Sequence, residues 1–243
     1  MNTINFPYIN GTEISVSENA LYLNCCFVHP TKDSEWFEPF VWELDVIQKF
    51  VDQIQNDFVV LDIGANTGLF SLAAKYYENT KWHLFEPDPF NYSLLQENLK
   101  INEIENVSLY EEAMGDKVGK EILKICSIHR GLNTIGKDVK RFSESESIDH
   151  PVKMNTIDNL FLDTKIDLIK IDTEGSEYDI IVGGIETIKK YKPKILLEYN
   201  EVNMSQCGHS RQELDLLINQ INYEPFWFDN GENLFIQSRQ IYE

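Results

Sequence analysis

The chain has 243 residues, 42% of them hydrophobic and 12% aromatic, enough apolar material for one full-sized core. Its formal net charge of −19, uninterrupted by any Lys/Arg cluster, repels phosphate backbones and anionic lipid, so neither nucleic acid nor a membrane surface is expected as a partner. No apolar run approaches the roughly 20 residues that span a bilayer, no signal-peptide pattern opens the chain, and Cys25, Cys26, Cys126 and Cys207 form neither a CxxC pair nor a metal-ligand spacing; a cytoplasmic, reducing compartment is the expectation.

Residues 4–28 alternate polar and apolar, with turn signals at Asn10-Gly11 and Ser17-Glu18-Asn19. They predict short strands near 4–9, 12–16 and 21–28, so residues 1–34 form a β-rich amino-terminal extension and 35–243 the main domain. Phe37, Phe40, Val41, Leu44, Val51 and Ile54 stand at helical spacing over 35–54, with Pro39 near the first turn, where proline is tolerated. From residue 58 onward, strands at 58–63, 82–85, 107–110, 166–171 and 195–198 alternate with helices at 67–77, 90–101, 177–190 and 209–222. In the last helix Leu214, Leu217, Ile218 and Ile221 repeat at i, i+3, i+4, i+7. That alternation predicts an α/β, doubly wound, mostly parallel sheet joined by right-handed crossovers. The carboxyl end departs from it, since 223–228 and 233–237 flank Asp229-Asn230-Gly231 and predict an antiparallel hairpin. Between Gly115 and Asn155 the pattern is irregular, most polar at Ser143-Glu144-Ser145-Glu146-Ser147, and reads as a solvated loop, with an active-site lid as the alternative.

Four segments carry chemistry. In Val59-Val60-Leu61-Asp62-Ile63-Gly64-Ala65-Asn66-Thr67-Gly68 a buried strand enters a turn with two glycines and opens a helix. Gly64 allows a sharp turn beside a ligand and Gly68 close helix–strand packing, although such a turn also serves purely structural ends. Asn66 stands where a dinucleotide fingerprint has the glycine that lets the chain approach a pyrophosphate, so a ligand without phosphate is indicated. Asp62 is placed to accept from loop amides or a ligand ammonium. Next, His83-Leu84-Phe85-Glu86-Pro87 ends the following strand in an acid ~20 residues past Gly64, the place from which a carboxylate accepts both hydroxyls of a ribose. After the third strand, Glu112 and Ala113 are positioned to border an adenine ring. Finally, Ile166 to Glu177 delivers Asp172 and Glu174 to the carboxyl edge of the sheet, where open α/β folds bind ligands, and Glu198 ends a further strand there. Glu174 and Glu177 can alternatively serve as helix-dipole partners, and Lys170 as an ion-pair partner.

Taken together, Asp62-Ile-Gly-Ala-Asn-Thr-Gly68, Phe85-Glu-Pro87, Lys170-Ile-Asp-Thr-Glu-Gly-Ser-Glu177 and Pro193 with Glu198 resemble the FkbM family of S-adenosylmethionine-dependent methyltransferases over about residues 36–200. The resemblance implies a class I methyltransferase fold of seven strands (Rossmann-like) and O-methylation of a hydroxyl on a small acceptor, a sugar or sugar nucleotide first. It implies that Asp62, Gly64, Asn66 and Gly68 line the methionine end of the cofactor and Glu86 holds the ribose, with Ala65 and Pro87 also among the cofactor-binding residues.

Methyl transfer from a sulfonium needs alignment and exclusion of water, and an alcohol also needs a base or a metal. Asp172 and His129 are candidate bases, with Glu174 beside them. Asp172 and Glu198 could instead hold a divalent ion such as Mg²⁺ or Mn²⁺. A nicotinamide-dependent oxidoreductase and a non-catalytic cofactor-binding domain are the rival readings.

Overall fold

Burial selects the strands. The computed structural model describes residues 4–6, 14–16, 46–127, 129–136, 143, 146–228 and 233–239. In chain order these form β1 (Ile4–Phe6), β2 (Ile14–Val16), helix α1 over 46–51, β3 (Val59–Ile63), β4 (Lys81–Phe85), α2 (Pro89–Ile101), β5 (Val107–Tyr110), β6 (Ala113–Met114), β7 (Gly119–Cys126), β8 (Ser147–Asn155) and α3 (Ile157–Phe161). There follow β9 (Leu168–Ile171), α4 (Glu177–Val182), α5 (Ile185–Tyr191), β10 (Lys194–Glu198), α6 (Glu201–Cys207), α7 (Arg211–Gln220), β11 (Tyr223–Phe228) and β12 (Asn233–Ser238).

The main sheet has seven strands in the order β11-β12-β10-β9-β3-β4-β5. Strands β10, β9, β3, β4 and β5 run parallel, and β12 and β11 close the sheet antiparallel. Successive residues of each central strand feed opposite cores. Val60, Leu168 and Leu196 pack with Phe50, Leu72, Leu95 and Leu99 on one face. Leu61, Ile169 and Ile195 pack with Ile157, Ile180, Ile188 and Leu217 on the other. Burial on both faces explains why β3, β9 and β10 read as nearly continuous apolar runs. Helix α7 starts with a capping box, the Ser210 side chain on the Glu213 amide and the Glu213 side chain on the Ser210 amide.

Three expectations change. The helix expected over 67–77 is a short 3₁₀ turn, Ser71–Tyr76, in which Ser71, Leu72, Ala73 and Ala74 are all buried, leaving no polar face for an amphipathic α-helix. The helix expected over 177–190 is two helices broken at Gly183-Gly184, where a Cβ on Gly183 would lie 2.0 Å from the Gly115 carbonyl oxygen. The stretch read as a solvated loop builds a second sheet, β6-β8-β7, with β7 and β8 antiparallel over Gly119–Cys126 and Ser147–Asn155. Its core is Ala113, Leu123, Ile125, Val152 and Met154. Pro151 within β8 and exposed Ile122 and Ile148 break the alternation that would have signalled strands. At the amino end β1 and β2 fall within the spans expected as strands at 4–9 and 12–16 and pair antiparallel. The expected strand at 21–28, residues 35–45 of the first helix and the turn at 229–231 lie outside the described residues.

Candidate active site

The parallel strands end together, and their carboxyl edge collects the residues singled out by the sequence. Past β3 the amides of Gly64 and Ala65 both donate to the Phe85 carbonyl, at 3.0 and 2.9 Å, which folds the turn across the end of β4. Gly64 has φ of +75°, and a Cβ there would sit 1.9 Å from the Asp172 carbonyl oxygen. Only glycine lets this turn lie against the end of β9. Asn66 also takes the left-handed conformation, at φ 51°, and its amide donates to Glu86 Oε2 at 2.8 Å. Gly68 faces Leu95 of α2, whose Cδ1 would lie 2.6 Å from an added Cβ.

Glu86 is buried at the end of β4 and accepts a second amide, from Asp88, on Oε1 at 2.8 Å. Burial pushes its carboxyl up to about 7, against the pull of the Asp88 and Asn66 amides. Each oxygen of a carboxylate has two acceptor sites and each here spends one on an amide, so the group retains capacity for two hydroxyl donors. Half-buried Pro87 follows it.

The structure packs Asp62 against Ser71 and Lys170. It is fully buried beneath the turn, accepts from Ser71 Oγ at 2.6 Å on Oδ2, and has Oδ1 3.2 Å from Lys170 Nζ. Lys170 in turn donates to the Gly64 carbonyl at 2.8 Å and lies 3.6 Å from Asp172 Oδ2. A carboxylate so enclosed braces the turn through an ion pair; no loop amide is bound to it among the described residues. Ala113 lies in the core of the second sheet, and Glu112 accepts from Asn155 at 3.2 Å. The three-stranded sheet claims both through packing that their sequence neighbourhood does not reveal.

At β9 and β10 the expected acids converge: Asp172, Glu174 and Glu198 each offer a carboxylate oxygen within 4.8 Å of the others. Asn203 of α6 bridges two of them, its amide donating to Glu174 Oε2 at 2.8 Å and to Glu198 Oε1 at 2.7 Å. This oxygen set matches the hard-donor chemistry that Mg²⁺ or Mn²⁺ takes, and equally that of sugar hydroxyls, which donate to carboxylates. Glu177, fully buried, accepts three hydrogen bonds from the loop between Asp172 and α4.

The segment 129–134 crosses from one half of the site to the other. One guanidinium nitrogen of Arg130, Nη1, donates to both carboxylate oxygens of Asp88 at 2.7 Å, and Asn133 donates to the same carboxylate at 2.8 Å. Thr134 donates to the Glu174 carbonyl at 2.9 Å. His129 Nδ1 accepts from the Gly131 amide at 3.1 Å, and burial lowers its pKa, so the neutral ring carries its proton on Nε2 and that nitrogen is a donor. This weakens His129 as a base and leaves Asp172. Sequence reading missed Arg130, Asn133, Thr134 and Asn203. The local signal for Asn203 was the Asn200 N-cap, whose side chain accepts from the Val202 and Asn203 amides.

The sequence profile of the methyltransferase FkbM domain matches residues 62–225, more than half of the chain. The 2-O-methyltransferase NoeI of Sinorhizobium fredii is 30% identical over 182 residues, covering 65% of this chain and 70% of its own. Methyltransferase 1 of Beauveria bassiana is 25% identical over 168 residues, covering 58% of this chain and 67% of its own. The crystal structure of methyltransferase FkbM from Methylobacillus flagellatus superposes with a TM-score of 0.50 at 14% identity, over 83% of this chain and 60% of that one, a likeness of fold. The chain thus spans between 60% and 70% of these relatives. No helix among the described residues is long and apolar enough to cross a membrane. A profile match of this length, on a mostly parallel seven-stranded sheet closed by an antiparallel hairpin, means that the chain belongs to the FkbM methyltransferase family.

Proposed function

We propose that the chain transfers the methyl group of S-adenosylmethionine to a hydroxyl of a small acceptor, with residues 35–243 as the catalytic domain and 1–34 as an extension. The observation that carries the reading is the convergence of Asp172, Glu174 and Glu198 beside the Gly64 turn, since Gly64 abuts the backbone of Asp172 itself. The cradle fits the cofactor at Glu86, which keeps acceptor capacity for two ribose hydroxyls. When bound, S-adenosylmethionine supplies an electrophilic methyl carbon on a sulfonium, which an oxygen displaces in line.

The chain's own residues orient the acceptor and take its proton. Glu174 and Glu198, held by Asn203, accept from neighbouring hydroxyls of a polyol. Asp172, whose side chain is 43% exposed, is the group that accepts the proton of the attacking hydroxyl as the new C–O bond forms and the methyl–sulfur bond breaks. The 2-O-methyltransferase among the relatives supports a hydroxyl as acceptor. Three clustered acids favour a neutral sugar over a nucleotide-linked one, because a diphosphate would meet like charge. Asp172 and Glu198 are the residues that would hold a divalent ion, which would supply positive charge to offset that repulsion.

Incubation with methyl-tritiated S-adenosylmethionine and a panel of hexose methyl glycosides, UDP-glucose, protein and RNA tests the reading, with and without EDTA. Label is expected in a glycoside. Transfer only to protein or RNA, or to nothing while the cofactor binds, sinks it, the latter in favour of a silent binding domain. Binding of NAD in place of S-adenosylhomocysteine would revive the oxidoreductase reading, against which the family match stands.

A further inference from the structure

The loop that carries two of the three acids is gripped from beneath by another. Glu177 opens α4 and is 0% exposed. Its Oε1 accepts from the Thr173 amide at 2.9 Å, the Thr173 hydroxyl at 2.9 Å and the Gly175 amide at 3.3 Å. Its Oε2 is enclosed too, with no hydrogen-bond partner among the described residues. Burying a carboxyl in this way is costly. A helix-dipole role does not account for it, because an exposed acid serves a helix start as well.

The loop needs such a grip. Glu174 and Gly175 are consecutively left-handed, at φ 61° and 122°, and a side chain such as that of Glu174 is strained there unless its surroundings enforce it. The loop also has little room to shift: a Cβ on Gly175 would lie 2.4 Å from the Asn203 carbonyl oxygen, on the helix that supplies the amide bridging Glu174 and Glu198. On its other side, Thr173 Cγ2 would lie 3.2 Å from a Cβ on Gly64. The peptide run gripped by Glu177 is therefore the one that lies between the cofactor turn and the acceptor acids.

We infer that Glu177 is a positioning residue, whose single oxygen sets the loop at Thr173–Gly175 and thereby the stance of the Asp172 and Glu174 carboxylates toward Glu198. The inference rests on reading that trio as the acceptor site.

The test compares Glu177→Ala, Glu177→Gln and Asp172→Asn. Residue-resolved amide exchange is followed at Thr173 and Gly175, with the β9 amides as the folding control. The second readout is the kinetics of tritium transfer from S-adenosylmethionine to the hexose methyl glycosides. Glutamine keeps an acceptor oxygen and alanine does not. In Glu177→Ala, exchange at both amides should quicken about tenfold or more, as local opening becomes easier. Its kcat should fall on the order of 10²-fold, as misplacement by about 1 Å does. S-adenosylhomocysteine affinity and β9 protection should hold. Glu177→Gln should restore exchange and kcat.

Unchanged exchange or kcat in Glu177→Ala, or a glutamine variant as impaired as alanine, overturns the inference. If Glu177→Ala loses β9 protection, Thr173→Val, which removes the hydroxyl donor to the same oxygen, takes its place; it should slow kcat with cofactor affinity kept, and no slowing is again fatal. A slow Asp172→Asn beside a normal Glu177→Ala removes only this inference, whereas a normal Asp172→Asn removes the acceptor-site reading and the inference with it. Should the wild-type chain label no glycoside, the reading of function fails separately, and the exchange data still decide whether Glu177 holds the loop.

Discussion

Glu86 is the acid whose ionisation should govern cofactor binding. Its carboxyl is buried at the end of β4 and pushed up to about 7. An ionised group with one acceptor site left on each oxygen takes two ribose hydroxyls; the protonated acid turns one oxygen into a donor and loses that match. Affinity should therefore rise with pH toward 7 and level off above it. About 1.5 units below that value roughly 3% of the group is ionised, so near pH 5.5 S-adenosylhomocysteine should bind about 30-fold more weakly, or ~2 kcal/mol.

Stability of the ligand-free chain should run the other way. Between 4.5, the ordinary value, and about 7 the folded chain holds a proton that the unfolded chain has released. The contribution of this group is full below the lower value and is lost as pH rises through the upper one, by up to about 3 kcal/mol. Titration calorimetry across this window and melting of the free protein read the two effects separately. Glu86→Gln cannot titrate, so it should bind weakly at every pH, and the difference between its melting curve and the wild type's should carry the slope. A wild-type affinity that stays flat with pH, or a glutamine variant with the wild-type slope, refutes the reasoning.

Asp172→Asn should keep the melting temperature and cofactor affinity, because the side chain is 43% exposed, while turnover falls by roughly 10²–10⁴-fold as for a lost general base. Loss of wild-type activity in EDTA with recovery in Mg²⁺ or Mn²⁺ would assign the carboxylate to a metal instead, and near-normal turnover would make it structural. Gly64→Ala combines a left-handed backbone with a Cβ 1.9 Å from the Asp172 carbonyl oxygen. It should cost about 2–5 kcal/mol, read as a fall in melting temperature of roughly 5–15 °C, and abolish transfer; wild-type melting would show that the turn is free to move away from β9.

What the sequence by itself determined is whatever local pattern encodes. Strands β3, β9 and β10 are buried on both faces, so their apolar runs are nearly continuous, and these strands, with β4 and β5, lie where the sequence runs predict. The Gly64 turn and Glu86 were legible because their chemistry depends on residue type at a strand end. The acids Asp172, Glu174 and Glu198 were legible one by one, as strand-end carboxylates. That they meet within 4.8 Å was decided by the parallel register of β9 and β10, which sets Ile171 opposite Leu197.

The tertiary structure alone decided the rest. Asp62 shows only as a strand-end acid in the sequence, and its packed partners Ser71 and Lys170 come from other segments. Residues 119–155 hid a sheet because Pro151 and the exposed Ile122 and Ile148 erase the alternation by which a half-buried strand is known. Gly183-Gly184 splits a periodic helix because the chain at Gly115, far off in sequence, passes within contact of it. Arg130 finds Asp88, and Glu177 turns inward to Thr173 and Gly175, for the same reason: a polar side chain shows its residue type in the sequence, but its partner is chosen by which segments the packed core brings alongside it.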